Sequence, residues 1–189
     1  MKARAVLLAA ALGASTLPCA APLGVQELFQ ALAQDKPRRA SFHEKKILAL
    51  LDKPVESSGE LVFTPPARLE KRTTAPRAES VVIDGDVATI ERGGKRQTLK
   101  LSQYPAIAVL IDSIRSTLAG DLATLTRTYS TALAGDTARW RLTLRPLDPS
   151  LGALVEHIEI SGGESQVRGV DIYQADGDRS VMTLTPLDK

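Results

Sequence analysis

Apolar residues recur at helical spacing in two stretches of this chain, and between and after them they alternate with polar ones. Val25, Leu28, Phe29 and Leu32 fit one face of a short amphipathic helix over 24–34, ended by Pro37. From Arg39 the period drops to two, and turn residues bound each run. Strands are predicted over 39–51, 55–64, 67–74, 79–84, 87–92 and 95–101, with Asp84-Gly85 and Gly93-Gly94 at tight hairpin turns. Pro105 is a good first helical residue, and Ile107, Leu110, Ile111, Ile114 and Leu118 mark one face of a second helix ending near Gly120. Asp121 is placed to cap a further turn through Leu125. Strands resume over 126–134, 138–146, 154–161, 166–174 and 179–186, with Pro146 to Gly152 as a longer loop. The fold class is mainly β (α+β): about eleven antiparallel strands cannot stay flat, so one curled sheet forms an incomplete β-barrel covered by short helices.

Alternation also sorts the strand residues by face. Leu61 with Phe63, Leu99 with Leu101, Trp140 with Leu142 and Leu144, and Ile158 with Ile160 lie two residues apart, so each set points one way. Such a face is either solid core or the wall of a cavity, and the pattern leaves both open. Two short helices are too few for a separate layer, yet enough to cover one opening of a curled sheet.

Composition changes this picture at the N-terminus. Lys2 and Arg4 followed by the apolar run Ala5–Leu12 and by Cys19, Ala20 and Ala21 read as a signal peptide over 1–21, leaving one domain over 22–189. The run is too short for a membrane span. A lipid anchor on Cys19 is the rival reading, against which stand Pro18 before the Cys and Thr16 where Leu is usual. Cys19 is the only cysteine, so the mature chain forms no disulfide. Without Lys2 and Arg4 the 24 basic residues become 22, equal to the 22 acidic ones, which removes any argument from bulk charge for nucleic-acid binding.

Candidate chemistry is sparse. His43 and His157, the only two histidines, fall on different predicted strands and read as surface or rim residues, so no metal site is expected. No Gly-x-Ser-x-Gly elbow occurs, and Gly93-Gly94-Lys95 lacks the remaining positions of a phosphate loop. Asp84 and Asp86 flank Gly85 in a turn and read as turn residues rather than paired catalytic carboxylates. An enzyme is not expected, and no cofactor is implied. Basic residues gather in Arg68, Lys71, Arg72 and Arg77, in Arg92, Lys95, Arg96 and Lys100, and in Arg139, Arg141 and Arg145. They read as a solvated sheet face, or as a surface for anionic headgroups or an acidic partner.

Several segments, in order, resemble the LolA-type carriers of the bacterial periplasm. They are Ala40-Ser41-Phe42, Gly59-x-Leu61 with Pro66, Val82 to Asp84-Gly85, Pro105 to Gly120-Asp121, Trp140-Arg141-Leu142-Thr143-Leu144 with Pro146, and Asp148 to Ile160. The resemblance implies an incomplete barrel whose helices close a hydrophobic cavity for acyl chains. It implies a cavity wall of Leu61, Phe63, Leu69, Val82, Leu99, Leu101, Tyr129, Trp140 and Leu142. It implies a lid of Leu28, Leu32, Ile107, Leu110, Ile111, Ile114 and Leu118. The expected function is a monomeric periplasmic carrier or chaperone for lipoprotein or (glyco)lipid cargo. An inner-membrane exporter would be its donor and an outer-membrane receptor its acceptor. The alternative is an envelope sensor or adaptor of the same fold that binds lipid or misfolded outer-membrane protein. Two departures are visible: family members that carry lipoproteins have an Arg, linked to lid closure, where this chain has Pro65, and they often continue past the last strand with an extension where this sequence is expected to stop at Lys189.

Overall fold

The computed structural model describes residues 23–34 and 36–187, so the expectations for the leader and for Cys19 lie outside the described residues. Helix α1 (Val25–Leu32) leads into six strands, β1 (Arg38–Ile47), β2 (Val55–Thr64), β3 (Arg68–Ala75), β4 (Glu79–Asp84), β5 (Val87–Arg92) and β6 (Lys95–Lys100). A short 3-10 turn, Leu101–Gln103, opens the crossover, which continues through α2 (Pro105–Ala119) and α3 (Leu122–Thr128). Strands β7 (Tyr129–Gly135), β8 (Trp140–Pro146), β9 (Val155–Gly163), β10 (Gln166–Gln174) and β11 (Arg179–Pro186) complete the chain, with a one-turn helix α4 (Pro149–Gly152) between β8 and β9.

All eleven strands form one antiparallel sheet in the order β6-β5-β4-β3-β2-β1-β11-β10-β9-β8-β7. The chain begins at the centre with β1 and meanders out to β6. The helical crossover then carries it to the opposite edge, and it meanders back until β11 pairs with β1. Among the described residues, strands β6 and β7 are unpaired edges, so the barrel is open. Residues from strands as far apart in the order as β4 and β9 line one cavity, so the sheet curls.

Most boundaries agree with the sequence pattern to within two residues, and four differences have a clear local cause. β1 stops at Ile47, because Leu48 to Leu51 form a turn closed by the Leu51 N–H on the Leu48 carbonyl and anchored by the Ala49 N–H on Asp178. Leu101 lies in the 3-10 turn, past the end of β6. Residues 126–128 continue α3, whose first turn is capped by Asp121 accepting from the Thr124 N–H at 2.9 Å. The loop after Pro146 contains α4, capped in the same way by Asp148.

The sheet's inner face is filled unequally. Helices α1 and α3 pack on β7 to β10 in a solid core that includes Leu28, Phe29, Leu125, Trp140, Leu144 and Ile158. Gly120 lets α1 and α2 meet: at φ +72° it ends α2, and a Cβ there would stand 2.5 Å from the Phe29 carbonyl oxygen. The other half, under α2, is left open.

Candidate functional site

Alternation in the central strands sends alternate side chains inward under α2. On β2 these are Leu61 and Phe63, on β3 Leu69 and Lys71, and on β4 Val81 and Ile83; cross-strand register aligns Leu61 with Lys71 and Leu69 with Ile83. From the other side come Val170 and Ile172 on β10 and Met182 and Leu184 on β11. Leu110, Ile111, Ile114 and Leu118 of α2 form the roof. Together they enclose a cavity of about 850 Å³, within the range of ~300–1,000 Å³ typical of small-molecule sites.

Of the expected wall, Leu61, Phe63 and Leu69 line this cavity. The other six expected residues are displaced from it, for identifiable reasons. Val82 pairs with Glu70 on the opposite face, its neighbours Val81 and Ile83 taking the inward positions. Leu99 lies on edge strand β6 beside buried Ala88, and Leu101 is buried in the 3-10 turn. Tyr129, Trp140 and Leu142 are sealed in the solid core beneath α1 and α3, with Leu142 wholly inaccessible. Of the expected lid, Leu110, Ile111, Ile114 and Leu118 cover the cavity, whereas Leu28 and Leu32 are core residues and Ile107 faces solvent.

Two polar constellations went unrecognised in the sequence. The first is Arg38 at the start of β1. Its guanidinium donates to the carbonyls of Leu32, at the C-terminus of α1, and of Leu118, near the C-terminus of α2, the latter at 2.9 Å. A cation there satisfies carbonyls that a helix end leaves free and complements both helix dipoles. Burial pulls the guanidinium below its ordinary value. Arg115 ties α2 down elsewhere, donating to the Gly85 carbonyl at 2.9 Å.

The second constellation is centred on Glu44, whose side chain is only 6% exposed. Its carboxylate accepts from the Lys71 ammonium at 2.5 Å, from the Ser180 hydroxyl at 2.7 Å and from the Ser57 hydroxyl at 3.3 Å, with the Lys46 ammonium at 3.8 Å. Burial alone pushes the Glu44 carboxyl up. The hydrogen bonds from Lys71 and Ser180 and the charges of Lys71 and Lys46 outweigh it and hold the carboxyl below the usual value. Lys71 also lies 4.8 Å over the Phe42 ring. One signal for this cluster stood in the sequence: in Ala40-Ser41-Phe42-His43-Glu44 the carboxylate shares the inward parity of Ala40 and Phe42.

Most of the other basic residues are paired locally: Arg68 and Arg72 with Glu70, Arg92 with Glu79, Arg141 with Glu159 and Arg145 with Glu156. His43 is exposed beside Glu56, but His157 is mostly covered, stacking on Tyr173 at 4.1 Å rather than lying free at a rim. Among the described residues no three His, Cys, Asp or Glu side chains gather as metal ligands. Among them, too, no helix is long and apolar enough to cross a membrane.

Comparison with known proteins gives one family. Residues 18–186 match the sequence model of the family described as outer membrane lipoprotein carrier protein LolA-like. No curated protein sequence matches the chain. Among solved structures, a LolA superfamily protein from Nitrosomonas europaea is similar at 12% identity and a TM-score of 0.48, over 87% of this chain and 92% of that one. MucB in the MucA/MucB complex of Pseudomonas aeruginosa is similar at 14% identity and 0.48, the match taking in 87% of this chain but only 57% of that one. LprF from Mycobacterium bovis is similar at 12% identity and 0.37, over 85% and 91% respectively.

Proposed function

The chain belongs to the outer membrane lipoprotein carrier protein LolA-like family, and from that membership we propose a periplasmic carrier that shields the acyl chains of lipoprotein or lipid cargo between the inner and outer membranes. The observation that carries the reading is the cavity itself, about 850 Å³ between α2 and the sheet and walled largely by aliphatic side chains. Each buried methylene contributes about 0.8 kcal/mol, so acyl chains cross an aqueous space only if something covers them. A cavity roofed by one helix provides that cover, and release follows when the helix moves.

Arg38 fits this reading as the latch. The family's lipoprotein carriers place an Arg before the Pro that follows the second strand, and this chain has Pro65 there. Arg38 on the adjacent strand holds the C-terminal ends of both α1 and α2 through their carbonyls. These bonds hold the roof shut, and Arg38 lines the cavity together with Leu118, so cargo that displaces α2 opens the latch.

The test is uptake of a fluorescent acyl probe by the purified protein and by Ile83→Trp, which fills the cavity without touching the solid core. Saturable uptake by the wild type that Ile83→Trp abolishes, with the fold retained by circular dichroism, supports the carrier. Equal uptake by both proteins, or none by either, contradicts it.

A further inference from the structure

The cavity is not uniformly apolar, and its polar wall has ammonium donors that the protein's own acceptors do not fully use. Glu44 accepts three hydrogen bonds: one carboxylate oxygen takes Lys71 and Ser57, and the other takes Ser180 and faces Lys46 across an ion pair. The two ammonium groups are not fully used. Each lysine has three N–H donors. Lys71 gives one of them to Glu44 and turns its charge to the Phe42 ring, whereas Lys46 holds Glu44 only by an ion pair at 3.8 Å. Both lysines line the cavity. Two ammonium groups share one carboxylate, so the cluster carries one uncompensated positive charge, held in place by a buried anion.

We propose that this cluster is a headgroup site, and that the cavity takes amphiphiles whose head is an oxyanion, a carboxylate or a phosphate. The oxyanion accepts from Lys46 and Lys71, and the acyl chain lies against Leu61, Leu69, Ile83, Ile114 and Met182. One negative charge brings the cluster to neutrality. Glu44, itself held by two serine hydroxyls, fixes Lys71 beforehand, so little of that side chain's entropy is lost on binding. A cationic head is disfavoured at Glu44, because two ammonium groups already face that carboxylate. The inference rests on the carrier reading for the cavity and adds to it the chemistry of the cargo's polar end.

The experiment measures binding of three ligands with the same sixteen-carbon chain, namely the fatty-acid carboxylate, the lysophosphatidic acid and the uncharged monoacylglycerol, together with inorganic phosphate alone. They are tested on the wild type, Lys71→Gln and Lys46→Gln; the last is half-exposed at the rim and keeps the Glu44–Lys71 pair. The wild type is expected to hold the anionic ligands about tenfold more tightly than the neutral one, the scale of one charge-assisted hydrogen bond. Lys46→Gln and Lys71→Gln are each expected to reduce that preference, and a preference undiminished in both variants overturns the headgroup site. Equal binding of anionic and neutral ligands by the wild type overturns the headgroup site and leaves the carrier reading standing. Failure of every acylated ligand to bind overturns both. Inorganic phosphate binding as tightly as the lysophosphatidic acid overturns the amphiphile in favour of a free oxyanion.

Discussion

Arg38 on β1 donates a hydrogen bond to the carbonyl of Leu118 on α2, 2.9 Å away and eighty residues further along the chain. The same guanidinium reaches the Leu32 carbonyl of α1, so one side chain joins the central strand to both helices over the inner face. Replacing it with Met keeps the length and removes the donors. Arg38→Met is expected to lower stability by about 1–3 kcal/mol, the cost of leaving buried carbonyls unpaired. Hydrogen exchange within 105–119 is expected to quicken. Unchanged exchange in α2 contradicts the latch.

Glu44 links stability to pH. Its folded-state pKa lies below the ordinary value of 4.5, so its contribution is present in full above that value and is lost as the pH falls through the folded-state pKa. Thermal unfolding followed from pH 7 downward is therefore expected to show a loss below the ordinary carboxylate range that Glu44→Gln does not share. At pH 7 the Gln variant is expected to be less stable by about 2 kcal/mol, less than a fully buried pair costs because Lys71 remains partly exposed. Parallel pH profiles for the two proteins contradict this assignment.

Solid core and cavity wall differ in what truncation does. Leu142→Ala leaves a hole in packed surroundings and is expected to cost about 2–5 kcal/mol. Ile114→Ala removes atoms that already border open space, and its cost is expected to be below about 2 kcal/mol. Urea unfolding of the two variants measures both, and equal losses would mean that the space beneath α2 is filled.

Gly120→Ala tests the junction of the two helices. The added methyl meets the Phe29 carbonyl and Ala33 at a positive φ, so a loss of more than about 1 kcal/mol is expected. A melting temperature equal to that of the wild type contradicts the close approach of α1 and α2.

The strand framework was legible because its punctuation is local. Asp84-Gly85, Gly93-Gly94 and Asp176-Gly177 sit at hairpin turns, and glycine supplies the positive φ at each. Alternation failed where nothing alternates: Val81, Val82 and Ile83 are all apolar, so parity could not say that Val82 faces out. It also gives side without depth. Leu61 and Leu142 carry the same pattern, and only the docking of α1 and α3 on the second half of the sheet makes one a cavity wall and the other core. The C-terminal half of α3 is not legible as helix because residues 126–128 are too few to show a period of 3.6. Arg38 was illegible because an Arg opening a strand reads as solvated, and its partners are supplied by helices brought over it by the fold.

Native mass spectrometry of the protein purified from its native source, with extraction of whatever is bound, tests the central claim most directly. The account predicts an acylated molecule at about one per protein, bearing an anionic head and absent from Ile83→Trp. A wild-type protein that carries nothing and takes up no added lipid or lipopeptide would contradict it.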